Sequence, residues 1–195
     1  MTEVKVADKK SARICQGDVY REVEYIESIK RIENDIEITK IVFPYVIVLT
    51  QDCDLESDFR LRCEEPDKPI KGKLLLSVLV APLYNVEQVY LGEHLSKLNI
   101  QTEVIKKDST AHDYLVKNQR PRFHCIEFPS GVPISPSVID FTHYFSVDVN
   151  YLKTNREAKF VCKVSPLYRE DISQRFTAFL SRIGLPDLNP KNRAR

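Results

Sequence analysis

The sequence predicts a mainly β, α+β protein: a small β-barrel with inserted helices and a closing C-terminal helix. Three observations lead to this prediction. Short β-branched runs alternate with turn residues along most of the chain, as in small barrels and sandwiches. Helical spacing of apolar residues is confined to the middle and the C-terminal end of the chain. The length of 195 residues suits one domain.

The first three apolar runs predict the strands of the barrel. Residues 14–25 form the first strand, and the turn-like Gln16-Gly17-Asp18 opens it. Residues 36–50 return as a second strand whose last part is β-branched and nearly continuous, which is typical of a strand buried on both faces. Pro44 is expected at the start of that strand or on an edge. Residues 74–83 form a third buried strand.

The middle of the chain mixes a loop, a helical insertion and shorter strands. Residues 51–69 are acidic and predict a polar loop. Residues 86–119 carry apolar residues at imperfect helical spacing and predict a helical insertion, with Asn85 as an N-cap. Three later segments are strand candidates: residues 122–128, 138–149 and 158–164.

The C-terminal helix has the clearest pattern in the sequence. Ser165 and Pro166 read as an N-cap followed by a first-turn proline. Gly184 is a suitable helix stop. We therefore place one domain at residues 11–185 and a basic tail at residues 186–195. One apolar stripe runs along the helix through Ile172, Phe176, Phe179, Leu180 and Ile183.

Composition excludes several classes of function. Lys and Arg total 29 against 28 Asp and Glu, so a globally basic nucleic-acid binder is not indicated. The apolar runs are too short to cross a membrane, and the first ten residues have no apolar core typical of a signal peptide, so we expect a cytoplasmic protein without membrane association. The five cysteines include no C-x-x-C pair, so neither a zinc knuckle nor a thioredoxin-type site is indicated. The sequence also has no G-x-x-x-x-G-K-[ST] or G-x-G-x-x-G motif, and we expect no metal and no other cofactor.

Three segments, in order, carry motifs of one family. Gln16-Gly17-Asp18-Val19-Tyr20 is similar to an opening R-G-D-I/V-Y/W strand, and Phe43-Pro44-Tyr45-Val46-Ile47-Val48-Leu49-Thr50 to R-P-V-V-V-L-S. The third, Val78-Leu79-Val80-Ala81-Pro82-Leu83-Tyr84, is similar to V-V-V-A-P-L/I-T. With these motifs in this order, roughly half of the chain resembles the PemK/MazF family of toxin ribonucleases.

The resemblance implies an SH3-like barrel, a homodimer and metal-independent cleavage of single-stranded RNA. In that reaction a base activates the 2′-hydroxyl group and a cyclic phosphate is left. The position of the family's catalytic arginine holds Phe43 here, and the position of its catalytic threonine or serine holds Tyr84. A phenyl ring cannot neutralise phosphate charge, whereas tyrosine keeps a hydroxyl group. The sequence therefore leaves both an active and a non-catalytic form open.

A second string, residues 120–125, combines arginine, phenylalanine and histidine. We predict that Arg122 and His124 act with Tyr84 as catalytic residues, because a histidine titrates near neutrality and an arginine binds phosphate. Arg120 and Phe123 are then RNA-binding residues that grip a phosphate and stack a base. The alternative is an ordinary edge strand with solvated arginines.

The string after the second strand offers a polar loop site at Thr50, Asp52, Cys53 and Asp54. A reactive thiolate at Cys53 is disfavoured by the two flanking carboxylates. We favour a tight turn held by Thr50, Asp52 and Asp54, with Cys53 as a small buried filler. The alternative is a polar site whose carboxylates contact a cation or a basic partner.

Three functional hypotheses follow, and the last of them is a cysteine- or metal-dependent enzyme centred on Cys53. The first is a PemK/MazF-like toxin or defence-associated protein that targets single-stranded RNA, and it requires Arg122, His124 or Tyr84 to converge on an open basic groove. The second is a non-catalytic protein-interaction module on the same barrel, docking an antitoxin-like or defence component. It requires a filled or acidic groove and an exposed apolar patch elsewhere.

Overall fold

The computed structural model describes residues 2–7, 11–33, 35–64 and 74–182. It confirms the α+β class: a curled, antiparallel half-barrel sheet is packed against helices. The described strands are β1 (Thr2–Glu3), β2 (Asp18–Ile32), β3 (Asp35–Val48), β4 (Ser77–Asn85), β5 (Phe123–Glu127), β6 (Ser137–Asp140), β7 (Phe145–Asp148) and β8 (Phe160–Lys163). The described α-helices are α1 (Asp52–Phe59), α2 (Val86–Tyr90), α3 (Thr110–Val116), α4 (Val149–Lys159) and α5 (Pro166–Leu180).

The strand order of the sheet is β1-β5-β6-β4-β3-β2-β8, and β7 also pairs with β4. Only the β1–β5 pair among these is parallel. Strand β4 is shared between two parts of the sheet. Its residues 77–82 pair with β7 and β3, and its residues 83–85 pair with β6. Because β4 changes partners near its end, the end of this strand lies where the sheet curls.

The turn before β2 forms as predicted. Gly17 adopts a φ of +80°, which favours glycine, and a Cβ atom added there would lie 3.1 Å from the Cβ of Arg169 on α5. The carboxylate of the buried Asp18 accepts a hydrogen bond of 2.9 Å from the N–H of Cys15. Glycine therefore allows α5 to approach the turn closely.

Strands β2 and β3 form a hairpin much longer than the rest of the sheet. Their pairing runs from Val19–Ile47 to Ile32–Asp35. Strand β8 pairs only with residues 18–20 of β2, and β4 only with residues 46–48 of β3. The remainder, which we call the ribbon, is two-stranded. Pro44 lies inside β3 and not at its start, but beyond the pairing with β4, so it occupies an edge position.

Apolar side chains form three packed clusters around the half-barrel. One lies under α5, where Ile172, Phe176 and Phe179 are buried as predicted, while Leu180 at the helix end is half exposed. A second lies under α1 and α4, and a third lies under the insertion with its helices α2 and α3. The predicted positions of Ile183, Gly184 and the tail at residues 186–195 lie outside the described residues.

Three predicted segments differ in the structure. The polar loop at residues 51–69 is α1 followed by a π-helical turn at Arg60–Glu64, as far as that segment is described. The strand at residues 138–149 is interrupted by a 3₁₀ turn at Phe141–His143. The segment at residues 158–164 is a strand only from Phe160, because α4 extends to Lys159. No helix in the described residues is both long enough and apolar enough to cross a membrane.

Candidate functional site

An aromatic cleft lies where β3 and the end of β4 meet the insertion. Phe43 of β3 and Tyr84 of β4 place their ring centroids 6.5 Å apart at an angle of 81°. Two adjoining cavities of about 220 and 270 Å³ share these two rings as lining. The two positions that the resemblance assigns to the catalytic pair of the family are therefore neighbours in one cleft. We define the aromatic cleft by Phe43, Tyr84, His94 and His143.

A chain of polar contacts begins at Tyr84. Its hydroxyl group is hydrogen-bonded to Nδ1 of His143 at 3.1 Å, and the same nitrogen lies 3.5 Å from Oδ2 of Asp140. The buried carboxylate of Asp140 accepts hydrogen bonds of 2.9 and 3.0 Å from Nε of Arg122. It also accepts from the backbone N–H and the hydroxyl group of Thr142 at 2.9 and 2.7 Å. The chain joins five side chains from three parts of the sequence: Tyr84, Arg122 and the segment that carries Asp140, Thr142 and His143.

The protonation states along this chain follow from burial and charge. Burial lowers the pKa of His143, although the charge of Asp140 opposes this, so the imidazole is neutral at pH 7. Burial, and then the charge of Asp140, raises the pKa of Tyr84, which keeps its proton. Burial acts to raise the pKa of Asp140, but hydrogen bonds from Arg122 and Thr142 lower it overall. The cleft therefore offers a neutral base beside a protonated phenol.

His94 brings a second imidazole to the cleft from the insertion. Its ring centroid lies 4.9 Å from that of Tyr84, at an angle of 65°. Neither ring nitrogen has a hydrogen-bond partner within the protein, and burial lowers its pKa. Two neutral histidines thus flank Tyr84, since the ring of His143 lies 5.7 Å away.

Arg122 contacts this site, but its positive charge is already paired with a carboxylate. The guanidinium group pairs with Asp140 and stacks 4.9 Å from the centroid of Phe123. The hydrogen bond that Arg122 donates to Asp140 is the main cause that raises the pKa of Arg122 above its usual value. The structure places Arg122 and Tyr84 on the same chain of polar contacts, but the charge of the arginine is neutralised by the carboxylate of Asp140.

His124 does not belong to the cleft, which corrects its predicted catalytic role. The side chain is 3% exposed and packs near the ring of Phe141, with Nε2 4.0 Å from Oδ2 of Asp171 on α5. Burial, followed by the charge of Arg175, lowers its pKa to about 3. A histidine buried beneath α5, beside Phe141, Asp171 and Arg175, has no access to a phosphate in the cleft.

The predicted RNA-binding residues Arg120 and Phe123 are engaged by the protein itself. Arg175 of α5 donates hydrogen bonds of 3.0 and 2.9 Å to the backbone carbonyl groups of Arg120 and Phe123. Arg122 occupies one face of the Phe123 ring. The hydrogen bonds fasten the start of β5 to α5 through backbone atoms, so the RNA-binding roles of the Arg120 and Phe123 side chains stay predictions.

The predicted polar loop site is the start of α1, and Asp52 is its central contact. Arg13 donates to both carboxylate oxygens of Asp52 at 3.0 and 2.9 Å, and the N–H of Gln16 donates at 3.1 Å. Arg169 of α5 lies 3.2 Å away. Thr50 accepts a hydrogen bond of 2.7 Å from the N–H of Leu79. Asp52 therefore ties α1 to the turn before β2 and to α5.

Cys53 and Asp54 point away from that contact. Both are exposed, so the prediction of Cys53 as a buried filler is wrong. In a helix, neighbouring residues face different directions, and Asp52 faces Arg13 and Arg169 while remaining partly exposed. No group of three or more metal-ligating side chains is arranged to hold a metal ion in the part of the chain that the structure describes.

Replacing Asp52 by asparagine is expected to lower the free energy of unfolding by about 1–3 kcal/mol, because two arginines lose a charged acceptor. Burial acts to raise the pKa of Asp52, but the bond from Arg13 lowers it overall to about 2. The stabilisation is therefore present above the unfolded-state pKa and is lost as the pH falls toward 2. Urea melts at pH 7 measure the effect. Asp54→Asn on the same helical turn is the matched control, and an equal loss there would contradict the assignment.

Three residues in or next to the cleft were not predicted as site residues: His94, Asp140 and His143. In the sequence they are isolated, and His143 lies 59 residues from its hydrogen-bond partner Tyr84. The one local signal is an acid at the end of a β-branched run, Val138-Ile139-Asp140. That pattern is common at strand ends and does not identify a site.

Comparison with known proteins found no matching family model, no similar curated protein and no similar solved structure.

Proposed function

We propose that the protein is a PemK/MazF-like toxin or defence-associated protein that targets single-stranded RNA at the aromatic cleft. The observation that carries the proposal is the meeting of Phe43 and Tyr84 in one cleft, beside two histidines. In the resemblance, positions 43 and 84 hold the catalytic pair. A site that descends from the family's catalytic site should keep these two positions in contact. Positions 43 and 84 do lie in contact here, although both residue types differ from those of the family.

The cleft suits unpaired bases. Aromatic and imidazole rings provide stacking surfaces that accept any base, and the two cavities share those rings as walls. Polar groups surround the rings, among them Asn85, Gln88 and Ser137 in the first cavity. Two exposed charged residues, Lys97 and Glu93, line the same cavity. A single-stranded segment can present a base to this cleft, whereas stacked and paired bases cannot reach it.

The side chains in the cleft also suit proton transfer in RNA cleavage. The neutral imidazole of His143 accepts the 2′-hydroxyl proton, and Asp140 stabilises the resulting imidazolium. The 2′-oxygen forms a bond to phosphorus as the bond to the 5′-oxygen breaks, and the protonated Tyr84 can supply a proton to the leaving oxygen. Phe43 gives the phosphorane no positive charge. We therefore expect RNA binding with slow cleavage at most.

Binding of a fluorescently labelled single-stranded RNA, measured by anisotropy with and without a chelator, tests this proposal. Phe43→Ala is expected to weaken binding by about 5- to 150-fold, since one stacked base contributes about 1–3 kcal/mol. Tyr84→Phe keeps the ring, so binding should persist while any cleavage is lost. Tyr168→Phe on α5 is the matched control and should change neither.

The proposal fails if wild-type protein shows no salt-sensitive RNA binding, or if Phe43→Ala binds as well as wild type. Cleavage that disappears with the chelator would instead indicate a metal-dependent reaction.

The second candidate is the non-catalytic protein-interaction module. Two observations favour it: Asp140 neutralises Arg122, so the cleft is not an open basic groove, and the ribbon exposes apolar side chains outside the cleft, among them Ile29, Ile36 and Ile38. The same RNA-binding experiment separates the two, because an interaction module requires neither salt-sensitive RNA binding nor a role for the Phe43 ring.

A further inference from the structure

A cavity of about 90 Å³ lies where α1 and α4 meet the segment before β2. It shares no described lining residue with the two cavities of the aromatic cleft. Four of its lining residues are charged, and we call it the α4 cavity, defined by Arg13, Asp58, Lys153 and Arg156.

Two of these four charges are paired with residues outside the cavity. The guanidinium group of Arg13 binds both carboxylate oxygens of Asp52. The carboxylate of Asp58 accepts hydrogen bonds of 2.8 Å from Nε of Arg62 and 2.8 Å from the N–H of Leu75. The charge that the cavity offers to a ligand therefore comes from the two cationic side chains of α4.

Arg156 carries two donors without an acceptor. The residue is 6% exposed, and among the described residues its Nε and Nη2 atoms have no hydrogen-bond partner. These two nitrogens share one edge of the guanidinium plane, the edge that binds two oxygens of one anion at once. Arg122 uses the same two nitrogens to bind Asp140. Because buried donors are normally satisfied by protein, water or a ligand, this edge of Arg156 requires an acceptor.

The surroundings of Arg156 position its guanidinium group without satisfying it. The ring centroid of Phe160 lies 5.0 Å from Cζ of Arg156, so an aromatic ring packs against the guanidinium group. Oδ2 of the buried Asp18 lies 3.8 Å from Nη2, which is longer than a hydrogen bond. Asp18 therefore offsets part of the positive charge but does not fill the donor edge.

Lys153 brings a second cation to the same cavity. Val149, Lys153 and Arg156 follow one another at i, i+4 and i+7, so all three lie on one face of α4 and line the cavity. Nζ of Lys153 lies 3.6 Å from Sγ of Cys63, and a thiol is a weak acceptor. The cavity thus combines a two-donor arginine edge with a nearby ammonium group.

This combination suits a phosphate group better than a carboxylate. A phosphate group carries about 1.5 to 2 negative charges at pH 7 and has enough oxygens for both the arginine edge and the ammonium group. A carboxylate has one charge, and its two oxygens are used by the arginine edge alone. An outer cavity of about 210 Å³ shares Ala12, Arg13 and Phe59 with the α4 cavity, so the body of a small phosphate ester has room there.

We propose that the α4 cavity binds a phosphate group, either free or as a small monoester. Arg156 donates to two phosphate oxygens from Nε and Nη2, and Lys153 supplies the second positive charge. The site is separate from the aromatic cleft, so the proposal is independent of the RNA-targeting function.

Isothermal titration calorimetry of the full chain at constant ionic strength tests this proposal. Inorganic phosphate and glycerol 1-phosphate should both bind saturably at one site, and acetate should bind at least about tenfold more weakly. Tighter binding of glycerol 1-phosphate would identify a monoester as the ligand, with its body in the outer cavity. Tighter binding of inorganic phosphate would identify the free anion.

Two variants on α4 test the assigned groups. Arg156→Lys keeps a positive charge beside Asp18 but loses the two-donor edge, so phosphate binding should weaken by about tenfold or more. Lys153→Met removes a charge and keeps the aliphatic stem, so binding should weaken by about fivefold or more. Lys117→Met, an exposed lysine on α3, is the matched control and should bind phosphate as wild type does.

A third variant gives a result that misfolding cannot produce. Asp18→Asn removes the carboxylate near Nη2 of Arg156 but keeps an oxygen for the N–H of Cys15, so phosphate binding should tighten by about threefold or more. The proposal is overturned if wild-type protein shows no saturable phosphate binding, since water then satisfies Arg156, or if acetate binds equally well. Unchanged binding by Lys153→Met, or weaker binding by Asp18→Asn, would also contradict it.

Discussion

Replacing Phe141 by alanine is expected to lower the free energy of unfolding by about 3–5 kcal/mol, measured by urea denaturation. The side chain is fully buried, and its ring centroid lies 5.5 Å from that of Phe176 and 6.0 Å from that of Phe179. Truncation leaves a cavity between the half-barrel and α5 that a ring-lined site cannot close by small movements. The decrease in the free energy of unfolding should therefore lie near the upper end of the range for core residues.

Leu167→Ala is the control for this prediction, because Leu167 belongs to α5 but is 75% exposed. Its effect should stay within about 0.5 kcal/mol. Equal losses for the two variants would mean that α5 does not pack on Phe141 as described. Phe141 also begins the 3₁₀ turn that carries His143, so the alanine variant should impair any function of the cleft as well.

The strands and the helix that were predicted correctly share one property: the spacing of their buried residues is visible within the element's own sequence. Strands β2 to β4 contain β-branched runs bounded by turns, and α5 has a proline at its first turn and an apolar stripe. In both cases one element buries a regular set of its own side chains. The periodicity can then be read without knowing what the element packs against.

The missed helices have burial patterns that depend on tertiary contacts. On α4 the buried positions are Val149, Leu152 and Arg156, and the arginine makes the helix look polar in sequence. Arg156 is buried because its Nη2 lies 3.8 Å from the buried carboxylate of Asp18. On α1 the buried residues are Leu55 and Asp58, and the latter accepts a hydrogen bond from Arg62. Because each helix buries one member of an ion pair, neither sequence shows the fully apolar stripe that predicts a helix.

The cleft was predictable in part. The motif comparison indicated positions 43 and 84, and they do meet. The other half of the site consists of single polar residues that approach Tyr84 only when β4, the insertion and the 3₁₀ turn pack together. No local spacing encodes that approach. For the same reason His124 was placed in the site, because alternation along β5 identifies a face of the strand but not what covers it.

The burial of His124 predicts an acid-sensitive fold. Its unfolded-state pKa is near 6.5, whereas burial and the charge of Arg175 lower the folded-state pKa to about 3. Between these values the unfolded state binds the proton and the folded state does not, so stability is lost as the pH falls from 6.5 to 3. At pH 5 this loss amounts to about 2 kcal/mol.

His124→Phe should remove the loss while filling the same apolar space beside Phe141. Urea melts at pH 7 and pH 5 for both proteins give the comparison, and the wild type should lose about 2 kcal/mol more than the variant. Asp18, whose pKa burial raises to about 6, favours the folded state on acidification, but it does so in both proteins and cancels in the difference. Equal losses would mean that His124 accepts a proton in the folded state by pairing with Asp171, and that it is accessible after all.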